Sequence, residues 1–346
     1  MSLIQDYPWV KKPLVVCPPM GGFAFHKLAC TVSRAGGLGF IGSTNNMPQL
    51  EKELALAKEH LNLSTAKGTL PIGVGFLVFI ADLEAAAKIV EDYRPAAVWL
   101  FAAKSTGDYK TWTERMRKAS PESKVWIQNG LVTTALAIAK ACKPDVLVMQ
   151  GTDAGGHGYE KGAGVISLVP ETLSALDAAG LSSIKVVASG GIADGRSVAA
   201  ALALGSSGAV MGTRFLASEE IVLPAPGYRD AVLKAKDGGQ STVKSKVFDE
   251  LRGPNIWPVE YDGRSIAVDS YQDWSAGMSI DELRKLHKEA EGTETKGFSA
   301  LKGEARAAVW AGTGVGFVDK VESAADIVQL VRKDAIDAME KARSLL

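Results

Sequence analysis

The run KVVASGGIADGRSVAAALALGSSGAVMGTRF, Lys185–Phe215, reads as strand, glycine turn, helix and strand again. Lys185–Gly191 is apolar, rich in Val and without alternation, the pattern of a strand buried on both faces of a parallel sheet. Gly190 and Gly191 stand at its carboxyl end. Asp194 occupies an N-cap position ahead of GRSVAAALALG, whose alanine-rich face suits close approach to a sheet. The second apolar segment, Gly208–Phe215, also carries a glycine late, Gly212, followed by Thr213.

Upstream the same alternation repeats. Short apolar runs at Leu14–Pro19, Leu38–Ser43, Pro71–Leu77, Ala96–Ala102, Lys124–Asn129 and Val146–Gly151 complete a set of eight candidate strands. Between them, QLEKELALAKEHL and DLEAAAKIVEDY place apolar residues at three- and four-residue spacing with charges opposite. TTALAIAKAC is more apolar. Eight strands, each with a following helix, predict a (β/α)8 barrel (TIM barrel) of the α/β class rather than a doubly wound sheet. The eighth helix is delayed by a polar, turn-rich insertion containing LPAPGY, KAKDGGQST and LRGPNIWP. The expected organisation is therefore a barrel from residues 1–216 and 302–346, with a mostly helical cap, 217–301, over its carboxyl-end mouth. SAADIVQLVRKDAIDAMEKARSLL reads as the amphipathic closing helix.

The chain has 346 residues, with 39 Lys+Arg against 39 Asp+Glu. Zero net charge argues against an electrostatic nucleic-acid binder. No apolar run reaches the ~18–20 residues of a membrane span, and the amino terminus carries no secretory pattern. Three scattered cysteines, Cys17, Cys30 and Cys142, fit free thiols in a reducing compartment, hence a cytoplasmic protein. Four histidines without metal-ligand spacing predict no metal site.

GLGFIG, Gly37–Gly42, fits a dinucleotide fingerprint, but the order is reversed: a helix precedes it and the strand runs through it. Gly36 and Gly37 read instead as a helix C-cap. The turns at Ser189–Gly191 and Gly212–Thr213 follow the last two strands, where barrels build phosphate sites. Bare N–H groups of Gly190, Gly191, Gly212 and Thr213, with the helix starting near Asp194 behind them, suit an anion. Met20, Gly21 and Gly22 follow the first strand, where backbone can approach a planar ring. QGTDAGGHGYEKGAG, Gln150–Gly164, sets His157 among glycines after the sixth strand, on the same face. A neutral imidazole there can take a proton from a carbon acid or bind an anion. His26 reads as surface or helix-start decoration, and His60 and His287 as solvated. Trp274, in YQDWSAGMS, either packs the cap or reaches the site.

Taken together, PPMGG, AGGLGFIG, DAGGHG, ASGGIADGR, MGTRFLAS and WSAGM resemble the nitronate monooxygenase family, formerly called 2-nitropropane dioxygenases, over nearly the whole chain. The resemblance implies an FMN-binding barrel with a helical second domain and His157 as the active-site residue. It implies FMN phosphate at Ser189, Gly190, Gly191, Gly212 and Thr213. It places the flavin ring near Met20, Gly21, Gln128, Gln150, Ala154 and Gly155, with Gly22, Gly75 and Gly156 also among the cofactor-binding residues. The implied reaction is oxidation of alkyl nitronates, with neutral nitroalkanes as a second substrate form, by O2 to a carbonyl compound and nitrite. NAD(P)H-dependent reduction of a quinone or an enoyl thioester is the alternative within the same superfamily. The partners expected are small molecules, with the chain a monomer or homodimer. Two positions depart from the family: GVG puts Gly75 where many relatives have Asn, and Gln128 stands where some have Lys.

Overall fold

In the computed structural model of this chain, residues 3–345 are described, apart from 44, 62, 64, 66, 67, 300 and 302. The strands in chain order are β1 Val15–Cys17, β2 Leu38–Gly42, β3 Leu70–Leu77, β4 Pro95–Phe101, β5 Lys124–Asn129, β6 Val146–Gln150, β7 Gly156–Tyr159, β8 Lys185–Ser189, β9 Ala209–Val210, β10 Thr242–Ser245 and β11 Tyr261–Ile266. All except β7, β10 and β11 form one closed parallel barrel, sealed where Val16 of β1 pairs with Val210 of β9. The (β/α)8 architecture is as the sequence predicts.

Helices His26–Arg34, Met47–His60, Leu83–Tyr93, Thr106–Ala119, Val132–Cys142, Val165–Ala178, Gly195–Ala203 and Ala324–Arg343 surround the strands. Several start at side-chain caps. Asp82 accepts from the N–H of Ala85, Ser105 from that of Asp108, and Asp194 from that of Ser197 in a reciprocal capping box. Helix Ala324–Arg343 buries Ile327, Val328 and Val331 against helices Gly195–Ala203 and His26–Arg34, closing the ring.

The barrel interior is filled, not hollow. Phe40, Trp99 and Trp126 pack there with Val16, Val148 and Val187. Trp99 and Trp126 stack at 5.8 Å, and Phe40 meets Trp99 edge-on at 5.1 Å. Gly73 makes room for this: a Cβ there would stand 2.2 Å from the Phe40 ring. Below, the Trp126 indole donates to the Tyr7 hydroxyl at 2.7 Å, so the amino-terminal segment plugs the floor.

The insertion differs from its expected form. It has helices Pro226–Lys234, Asp269–Ser275 and Ile280–Glu291, but also β10 and β11. These pair antiparallel, and β11 pairs with β7, a strand formed by the histidine loop itself. Tyr159 and Tyr261, both β-favouring, face one another in that register. Val309, Ala311, Val315 and Val318 pack with Tyr228, Phe248 and Leu283 of the insertion. An added edge joins them to it: Ile266 N–H donates to Val309 O, and Val309 N–H to Ser265 Oγ, both at 2.9 Å.

Candidate active site

A cavity of about 460 Å3 opens at the carboxyl ends of the barrel strands. Every residue that the family resemblance assigns to the site lines it except Gly22. Gly22 instead forms the turn into the first helix, with φ of 79°, and faces solvent. The two glycine turns line the same cavity. Gly190 and Gly191 hold φ of 108° and 72°, conformations that disfavour a side chain. Gly212 is different. A Cβ there would find nothing in the protein nearer than 3.8 Å, so the open space belongs to the cavity.

The loop between β6 and β7 is clamped from the insertion side. Arg264 of β11 donates twice to Thr152 O, at 3.2 and 3.0 Å. Thr313 N–H donates to Asp153 O at 3.0 Å. Gly155 lies against Gly312 so closely that a Cβ would stand 2.3 Å from its nitrogen. Gly312 N–H in turn donates to Thr213 Oγ1 at 2.9 Å, joining the histidine loop's clamp to the second glycine turn.

Two amides expected at a ligand have partners in the protein. Gln150 Nε2 donates to His157 O at 3.1 Å and holds β7 over the mouth. Gln128 Oε1 accepts from the Trp99 indole at 2.9 Å. Gly75 abuts Pro19: a Cβ would stand 2.3 Å from that ring. An asparagine here has no room on this backbone unless Pro19 shifts.

His157 sits in β7 opposite Gly263. Its ring stacks on Trp257 at 3.8 Å and 9°, and Trp310 leans on it at 4.7 Å. Its Nε2 lies 2.6 Å from Asp249 Oδ1, with both side chains largely buried (16% and 8% exposed). Tyr228 orients Trp310 by donating to its carbonyl at 3.2 Å. Beneath β7, Asn129 Nδ2 donates to the Tyr159 hydroxyl at 3.1 Å. Burial pushes Tyr109 and Tyr261 well above the usual phenol range, so their hydroxyls stay protonated.

Asp249, Trp257 and Trp310 were not legible as site residues. The two tryptophans stand in the turn-rich runs NIWP and AVWAG, where an isolated large aromatic is the available signal. Asp249 in VFDE carries none. Trp274 lies outside the cavity, 44% exposed against Tyr271. Two other histidines also differ from expectation. His26 starts its helix but is mostly buried, paired with Glu53 and stacked on His60. His287 is buried between insertion helices, 4% exposed, because its helix turns a mixed face inward.

A closed parallel barrel with a deep cavity at its mouth, walled by an inserted segment, defines a (β/α)8-barrel enzyme. The family model for nitronate monooxygenase matches residues 7–334. Nitronate monooxygenase npaC of Metarhizium robertsii is 43% identical over 96% of this chain and 94% of its own length. The nitronate monooxygenase of Neurospora crassa is 36% identical, covering 98% and 93%. Among solved structures, FabK from Thermotoga maritima superposes with a TM-score of 0.77 over 100% and 99% of the two chains, at 22% identity. Nitroalkane oxidase from Streptomyces ansochromogenes gives 0.73 over 95% and 98%, also at 22%. The chain belongs to the nitronate monooxygenase family and is an oxidoreductase.

Proposed function

We propose that this enzyme binds FMN and oxidises alkyl nitronates with O2 to a carbonyl compound and nitrite, accepting neutral nitroalkanes through His157. The observation that carries the reading is the single cavity shared by His157 and both glycine turns. FMN suits what the site offers. Gly212 leaves space that a Cβ would fill, and Ser43 Oγ, at the cavity wall, is buried without a hydrogen-bond partner among the described residues. Gly190, Gly191, Gly212 and Thr213 would hold its phosphate, with the helix from Gly195 behind them. When bound, FMN supplies the electron transfer between nitronate and O2.

The chain's own residues do the rest. Trp257, Phe101, Leu77 and Ile80 give the cavity apolar walls that favour an alkyl substituent. His157 takes the α-proton of a nitroalkane, or meets the oxygens of a nitronate that has already lost it. Replacing His157 with Asn in FMN-loaded enzyme tests this. Turnover of neutral nitroethane is expected to fall on the order of 100-fold, and that of ethyl nitronate far less. Unchanged nitroethane turnover removes the proton-taking role. Anaerobic mixing with NADPH separates the reading from the reductase alternative: rapid flavin bleaching favours the reductase, and inert flavin with nitronate-dependent O2 uptake favours the oxidation proposed here.

A further inference from the structure

The pairing of His157 with Asp249 spans two parts of the chain. His157 lies on β7, beside the barrel mouth. Asp249 lies 92 residues on, in the helical turn Val247–Glu250 that directly follows β10. The three-stranded sheet brings them together: β10 pairs with β11, and β11 pairs with β7 so that Gly263 faces His157. Gly263 is small for a reason, since a Cβ there would strike Trp310 at 2.4 Å. The sheet thus fixes both the imidazole and the carboxylate by backbone register.

We propose that Asp249 is a positioning residue that holds neutral His157 as the Nε2–H tautomer, leaving Nδ1 as the lone pair that takes the substrate's α-proton. An ionised carboxylate only accepts, so at 2.6 Å the proton between the two belongs to Nε2. Stacking on Trp257 fixes the plane of the ring, and the hydrogen bond fixes its rotation within that plane. The cations on the flanking elements are engaged elsewhere. Lys244 pairs with Asp262 and Lys246 with Glu160, both at 2.9 Å, and Arg264 bonds Thr152 O. Asp249 Oδ2 has no hydrogen-bond partner among the described residues. The carboxylate is therefore committed to the imidazole and not to a structural network. In the step itself, the α-carbon's C–H bond breaks and its electron pair stays on the nitronate. The proton goes to Nδ1, and Asp249 balances the imidazolium charge so formed.

The inference rests on His157 as the proton-taking group, so its test has two separable readouts. The first is 15N NMR of protein labelled at its four histidines, with His157→Asn assigning the resonance. The wild type is expected to show a protonated Nε2 and a bare Nδ1, and Asp249→Leu to lose that single-tautomer signature. The second is turnover by the FMN-loaded enzyme. Asp249→Leu is expected to lose on the order of 100-fold in kcat with neutral nitroethane, and at least tenfold less than that with ethyl nitronate. Asp249→Glu is expected to restore part of the loss. Asp249→Ala, which also lacks an acceptor, is read in the same way if the leucine variant does not fold. A proton on Nδ1 in the wild type, or equal losses on both substrates, overturns the proposal. A wild type inert to both substrates overturns the functional reading and the proton-taking half of this one, while the NMR result judges the pairing by itself.

Discussion

An added Cβ separates two kinds of glycine around the cavity. At Gly212 the protein leaves room for it, and the methyl would enter the space proposed above for the FMN phosphate. Gly212→Ala is therefore expected to leave the melting temperature of the FMN-free protein unchanged and to weaken FMN binding at least about tenfold, ~1.4 kcal/mol. Fluorescence titration of the flavin measures it, and equal affinity would move the phosphate elsewhere. At Gly75 the Cβ would meet Pro19 at 2.3 Å. Gly75→Asn, the residue of many relatives, is expected to destabilise this chain by about 1–3 kcal/mol, the usual penalty of overpacking, seen in denaturant melts. The glycines at the site could be read from sequence because they follow strand ends in a fixed order. Which of them serve packing and which a ligand could not, because that depends on what stands opposite: Pro19 for Gly75, open cavity for Gly212.

At the scale of elements, the barrel strands and their helices were legible because each obeys a local period. The sheet joining β7, β10 and β11 was not. Its strands are short and polar, GHGY, TVKS and YDGRSI, and become strands only by pairing across some hundred residues. Asp249 escaped notice for the same reason. The insertion helix Ile280–Glu291 gives a second lesson in the limits of pattern. His287 sits in a charged run, yet its ring is buried with Glu291 3.7 Å away. Burial lowers its pKa from the model-peptide value of 6.5, against the pull of Glu291 and with help from Arg252. A base whose folded pKa lies below its unfolded one binds more protons when unfolded. Its contribution to stability is complete above about pH 7 and is lost as the pH falls through 6.5 toward the lower folded value. The protein is expected to lose stability over that window. His287→Leu should flatten this part of the pH dependence in denaturant titrations, and an unchanged slope would assign the acid sensitivity to other groups.

Across the whole molecule, chemistry and closure occupy different places. The cavity and His157 lie at the mouth, where the insertion brings Asp249 onto the imidazole. The seam that closes the ring is made by helix Ala324–Arg343 against its two neighbouring helices on the flank of the barrel. The buried pair of Arg214 with Glu322 ties that seam to the turn after β9. Burial pushes the Glu322 carboxyl up, but the hydrogen bonds and positive charges of Lys320 and Arg214 together hold it below the usual carboxylate range. This separation predicts that a cavity made in the seam costs stability without touching catalysis. Ile327, fully buried in the helix–barrel core, is the place to test it. Ile327→Ala is expected to lower unfolding free energy by about 2–5 kcal/mol. Turnover per bound flavin should stay within about twofold, since the rigid strands that carry the mouth are paired independently of that helix. A matching loss of turnover in the folded fraction would mean that the closing helix communicates with the mouth, through the Arg214–Glu322 pair and Thr213 beside it.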